Sequence, residues 1–111
     1  MAIQNSSIAS GPTVTTIFNS SGTNAITTLI FCNTASYVPA TPELGLTKLT
    51  LHVVKNTNIP STTNMILNEM PIPAGETFTF DTEKVILENG DSLQAIADTN
   101  NLSVTVSYMA V

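Results

Sequence analysis

Arginine and tryptophan are missing from this chain of 111 residues, and cysteine and histidine occur once each, as Cys32 and His52. Each absence excludes something. Three lysines (Lys48, Lys55 and Lys84) against eight acids give a formal net charge of −5, so there is no cationic footprint for a phosphate backbone and nucleic acid is not an expected partner. A single thiol cannot close an intramolecular disulfide. A single imidazole leaves no triad to assemble, because nucleophilic hydrolysis needs a nucleophile, a base and a group that orients the base. With two Tyr and four Phe, little is available to stack on a sugar ring, which argues against a glycosidase cleft or a carbohydrate-binding module; Tyr37, in a loop, keeps sugar binding in view. No run approaches the roughly 18 apolar residues of a membrane-spanning helix. The segment MAIQNSSIASGPT lacks the basic start and apolar middle of an export signal. The expectation is a protein made and folded in a reducing cytoplasm, with no membrane partner.

Charge is scarce altogether. Charged residues make up 10% of the chain, against about 25% in an ordinary soluble domain, and Thr, Ser and Asn fill the polar positions instead. A surface of hydroxyls and amides is cheap to desolvate when a partner covers it. The length is that of one domain with one modest core.

What the chain does have is period-2 alternation, recurring between clusters of turn residues. The clearest run closes the sequence: Leu102, Val104, Val106 and Tyr108 share one face, and Ser103, Thr105 and Ser107 the other. Thr13–Phe18 and Ala25–Asn33 precede it. In the second of these, Leu29 and Phe31 alternate with Ile30 and Cys32, the pattern of a central strand buried on both faces. Lys48–Lys55 reads as a half-buried strand with Leu49, Leu51 and Val53 inward. Further strands follow over Asn64–Ile72, Thr77–Asp81, Val85–Glu88 and Leu93–Ala97, with a corner at Asp81–Lys84. The dipeptide Asn89-Gly90 is a hairpin signal, since a type I′ turn needs φ > 0 at both central residues. Tyr37–Leu46, with two prolines and a glycine, and Asn56–Asn64 are loops. About eight short strands at such spacing predict an all-β fold, an antiparallel two-sheet β-sandwich of jelly-roll or immunoglobulin-like type. Residues 1–12 are expected as an extended N-terminal arm, which Ile3 and Ile8 can pin to a neighbour, and residues 13–111 as the single sandwich domain.

Candidate chemistry is thin. His52 and Cys32 both fall inside strands, where the first reads as a sheet-surface histidine and the second as a small core hydrophobe whose apolar neighbours oppose ionisation. Glu76, Asp81, Glu83, Glu88 and Asp91 gather at turns and strand ends, where Ca²⁺ is conceivable. Their spacing matches no Ca²⁺ loop, and Asp81 and Asp91 are better explained as turn residues accepting backbone N–H groups. No catalytic, cofactor-binding or metal-ligating residues are therefore assigned, and no cofactor is expected. Ser103, Thr105 and Ser107, with Thr27 and Thr28, make uncharged, β-prone surfaces, and few lysines guard the strand edges; both features suit assembly.

Four blocks carry a resemblance: SSGTNAITTLIFCN (20–33), LTLHVVKN (49–56), IPAGETFTFDTEKVILENGDSLQAIAD (72–98) and LSVTVSYMAV (102–111). In their order they are similar to the small virion structural proteins of tailed bacteriophages, especially those of marine and cyanobacterial phages. The blocks are turn devices, so the likeness is to a scaffold, and the YVPATPELGL loop is longer than the turn expected there. The resemblance implies a non-enzymatic structural protein, foremost a decoration or cement protein on the capsid surface, made in the host bacterial cytoplasm. It implies other virion proteins (major capsid, neck or tail) and further copies of the chain as partners. The alternatives are a neck, tail or fibre-base protein of the same virion, and a sugar- or Ca²⁺-binding adhesion module. Ile3, Ile8, Tyr37, Val38, Leu44 and Ile59, in the N-terminal segment and the two long loops, are the expected interface residues.

Overall fold

The computed structural model describes residues 2–11, 13–80 and 85–111, and every regular element among them is a strand. In chain order these are β1 (Ala2–Ile8), β2 (Thr15–Asn19), β3 (Asn24–Asn33), β4 (Thr47–Val54), β5 (Met65–Ile72), β6 (Thr77–Phe80), β7 (Val85–Leu87), β8 (Ser92–Ala97) and β9 (Leu102–Ala110). Sheet I runs β1-β9-β3-β6, with β7 also paired to β3, and sheet II runs β2-β8-β4-β5. All the ladders are antiparallel.

β6 and β7 lie along the same side of β3, β6 against Leu29–Cys32 and β7 against Asn24–Ile26, and so form one interrupted edge. The chain changes sheet at every connection except β4–β5 and β6–β7. Eight strand positions in two sheets of four, wound by such crossovers, are a jelly roll; an immunoglobulin sandwich would group its strands differently. The predicted corner at Asp81–Lys84 lies outside the described residues.

Period-2 alternation puts one side chain in two between the sheets. Leu29 and Phe31 of β3 and Val104 and Val106 of β9 meet Leu49 and Leu51 of β4 and Leu93 and Ala95 of β8 in one buried cluster. Phe18 of sheet II reaches Tyr108 of sheet I with ring centroids 4.7 Å apart, and Phe31 stacks on Phe78 at 6.4 Å. These contacts fix which face of each strand is inward.

Four expectations change. Residues 2–8 are a sheet strand rather than an arm: β1 pairs with β9 in continuous register from Ala2 opposite Tyr108 to Ile8 opposite Leu102. Ile8 anchors it in the core, 1% exposed, which removes that residue from any interface. Asn89-Gly90 is not a hairpin, because β7 belongs to sheet I and β8 to sheet II. Only Gly90 has positive φ there (90°), and Asp91 N–H bonds the Glu88 carbonyl at 3.0 Å, the arrangement of a type II turn rather than I′.

The other two concern the central strands, which exchange roles. β3 is fully buried on its inner face, but on its outer face Ile30 is exposed and Cys32 only half-buried. β4, expected to be half-buried, is covered on both faces, with Thr50, His52 and Val54 buried beside Leu49 and Leu51. Its outer face is covered by β5 and the loop that leads to it: Glu69 N–H bonds Thr50 Oγ1 and Asn64 bonds the His52 ring.

Candidate functional site

The strands of sheet I are AIQNSSI, LSVTVSYMA, NAITTLIFCN, TFTF and VIL. Not one Asp, Glu, Lys, Arg or His occurs in them. Ladder register places the outward side chains in rows across the sheet: Asn5, Thr105, Ile30 and Thr79 form one, and Ser7, Ser103, Cys32 and Thr77 the next. At the far end Met109, Ala25 and Ile86 stand side by side, Met109 and Ile86 exposed. The result is an outer face of hydroxyls, one thiol and scattered aliphatics without a formal charge, on a protein of net charge −5. The described acids sit elsewhere: Glu69 on β5, and Glu43, Glu76, Glu88, Asp91 and Asp98 in connections.

The edges of the two sheets differ in the same sense. Natural sheets protect free edges with charges, prolines, bulges or brevity. β5 carries Glu69 at φ 49°, Pro71 and two register shifts, and β2 is short with one shift. The β6/β7 edge is broken in two. β1 has none of these devices. It is continuous in register, uncharged, free of proline and open to solvent over most of its length.

A second feature lies in the β4–β5 connection. Two adjoining shallow depressions of about 360 and 480 Å³ share Asn58, Thr63 and Asn64 as lining. Asn64 organises the connection. Its Oδ1 accepts the Ser61 N–H at 3.0 Å and its Nδ2 donates to the Ile59 carbonyl at 2.9 Å. That fixes the amide orientation, so the 2.8 Å contact between Asn64 Oδ1 and His52 Nδ1 is a bond donated by Nδ1–H. His52, 4% exposed, is thereby buried and held in one orientation on the outer face of sheet II. Thr57 in this loop holds φ 72°, a left-handed conformation that costs a β-branched residue about 1–3 kcal/mol.

Asp91 is the acid whose environment is decisive. Its carboxylate accepts the N–H groups of Asn56 and Glu88, both at 2.9 Å. These two bonds, the Asn56 one first, hold its carboxyl below the usual carboxylate range, Lys55 adds a small attraction, and burial opposes. It is a pin between loops. Among the described residues no group of three His, Cys, Asp or Glu side chains gathers as a metal site; Asp81 and Glu83 lie outside them.

The expected interface residues do not form one surface. Tyr37, Val38 and Leu44 are exposed in the β3–β4 connection, and Ile59, 74% exposed, is in the β4–β5 connection, which leaves β4 at its other end. Ile3, 66% exposed, lies on the outer side of β1, and Ile8 is in the core. Sequence reasoning passed over Ile30, Ile86 and Met109 as surface residues; the signal was the lack of charge on the positions alternating with the core. Comparison of the chain with protein-family models, with curated proteins and with solved structures finds no match.

Proposed function

We propose that this chain is a non-enzymatic structural subunit which works by being covered. The observation that carries this reading is the charge-free sheet I. Burying a charge in an interface costs several kcal/mol unless it is paired, and interface cores are depleted of charged residues. An acidic protein that keeps every strand of one sheet neutral has a face suited to burial against another protein. Following the resemblance of its turn blocks to small virion proteins of tailed bacteriophages, we take the assembly to be a virion and the chain to be a decoration or cement protein of the capsid surface. Contacts that are weak singly then act together through multivalency. Placement in the neck, tail or fibre base uses the same surface and differs in copy number.

A reconstruction of the particle tests the proposal. The chain should be present in many copies over the shell with sheet I against a neighbour; a single ring of copies would move it to the neck or tail. Its absence from purified particles would overturn the virion reading. Sheet I facing solvent in every copy would overturn the role given to that face.

The depressions of the β4–β5 connection favour a second reading, a module binding a small neutral sugar. Their lining of Thr57, Asn58, Ser61, Thr63 and Asn64 supplies amides and hydroxyls beside the Lys55 ammonium and the apolar Val53, Ile59, Met65 and Ile66. Titration with monosaccharides, followed by amide shifts at Asn58 and Thr63, tests it; unchanged spectra exclude it.

A further inference from the structure

The open edge of β1 has a sequence suited to one particular partner. We propose that β1 pairs antiparallel with β1 of a second copy of this chain, about a two-fold axis at Asn5, joining the two copies of sheet I into one continuous sheet. This rests on the reading of the chain as an assembly subunit and names its first contact.

Two observations converge on it. The first is the edge itself. β1 pairs only with β9 among the described strands; β2 and β5 carry register shifts and the β6/β7 edge is broken into pieces of four and three residues, whereas β1 runs seven residues in continuous register without charge or proline. An unguarded edge presents backbone N–H and C=O groups to any strand that can match them.

The second is self-complementarity. A two-fold axis pairs a strand with its own reverse, so that like charges anywhere near its centre would face each other. With Asn5 on the axis, Asn5 meets Asn5 of the second copy, Gln4 meets Ser6, Ile3 meets Ser7 and Ala2 meets Ile8. No charge meets a charge. Each pair also joins positions of equal parity, so the inward row of one copy continues the inward row of the other.

A charge swap at Asn5 tests the geometry. Asn5 is exposed and its side chain makes one exposed bond, to Thr105 Oγ1, so Asn5→Lys and Asn5→Asp should each fold, as thermal unfolding will verify. Sedimentation equilibrium of the wild-type chain should show a reversible dimer. Either variant alone places like charges across the axis and should weaken dimerisation by up to about fivefold at low ionic strength; mixing the two should restore it as a heterodimer. A wild-type dimer indifferent to both variants would overturn the β1 contact while leaving the subunit reading to the particle reconstruction. A chain that stays monomeric at all concentrations, or variants that fail to rescue each other, would overturn it too.

Discussion

Asn24 and Asn33 stand at the two ends of β3, and each turns a buried carboxamide onto the connections at its own end of the sandwich. Asn24 Nδ2 donates to Ser20 Oγ at 2.9 Å and to the Ser21 carbonyl at 3.1 Å. Asn33 Nδ2 donates to the carbonyls of Gly45 and Ile72, both at 2.8 Å, while its Oδ1 accepts the Ala35 N–H at 3.0 Å. Asn33 thus ties three separate stretches of chain, and Asn24 one turn. Asn33→Ala strands two carbonyls and an N–H in a partly buried setting and should lose about 3–5 kcal/mol, Asn24→Ala about 1–2 kcal/mol. Urea denaturation of the two variants gives the ranking, and equal losses would contradict it.

Acid should act through Asp91. Its carboxyl is held below the ordinary value by the N–H groups of Asn56 and Glu88, so the folded state favours the ionised form. The stabilisation is complete above the unfolded value of about 3.9 and fades as the pH drops from there through the folded value. Stability should therefore be insensitive to this group from neutrality down to about pH 5 and decline below about pH 4. Asp91→Asn replaces one acceptor by an amide NH₂ facing an N–H; it should cost about 2 kcal/mol at pH 7 and flatten the acid limb of a stability-against-pH curve.

The strands were legible because alternation is local: Leu102 to Tyr108 declare their two faces without reference to anything else. Pairing was less legible, because it depends on which sheet each strand joins. Asn89-Gly90 carries a strong hairpin signal, yet the Asn89 side chain accepts the Gly22 N–H at 2.9 Å and Gly90 N–H bonds the Ser20 carbonyl, so the turn is bound to a distant loop and sends the chain across to the other sheet. Burial obeyed the same rule. Ile30 and Cys32 look like core residues and face outward, whereas Thr50 and His52 look like surface residues and are covered by β5 and its incoming loop. The neutral surface was legible in part, in Ser103, Thr105 and Ser107; that the whole sheet lacks charge emerged only once the strand order was known.

Gly90 is required twice over. Its φ of 90° is costly for any residue with a Cβ, and a Cβ there would stand 2.5 Å from Asn56 Cγ. Gly90→Ala should lose about 2–3 kcal/mol, the left-handed backbone contributing about 1–2 of it. Asn56→Ala removes the obstructing side chain and keeps the backbone N–H that binds Asp91. The double variant should therefore recover the steric share alone. A double-mutant cycle with no coupling would show that the Asn56 side chain swings aside freely.

The β4–β5 connection should depend on one side chain. Asn64→Ala deletes the bonds to His52, Ser61 and Ile59 together, so the Ser61 amide should lose most of its hydrogen-exchange protection while the central amides of β9 keep theirs. In the intact protein the neutral His52 ring should carry its proton on Nδ1, which nitrogen-detected correlation spectra read directly. A proton on Nε2 would mean that the Asn64 amide is turned the other way.

Cys32 is a native reporter for the neutral face. It lies on the outer side of β3 between Ser103 of β9 and Thr77 of β6, half-buried and free. In the isolated subunit a small uncharged thiol reagent should reach it, because only its own sheet flanks it. Pairing of β1 strands alone leaves it accessible, since β9 separates β1 from β3. Covering of the face by a neighbouring protein does not, and there the reaction should slow by roughly the factor by which that complex excludes the open state, about tenfold for each 1.4 kcal/mol. Cys32→Ser supplies the blank and should cost little, since a serine there joins rows already made of hydroxyls. Equal labelling rates in free and assembled protein would place the contact on some surface other than the outer face of sheet I.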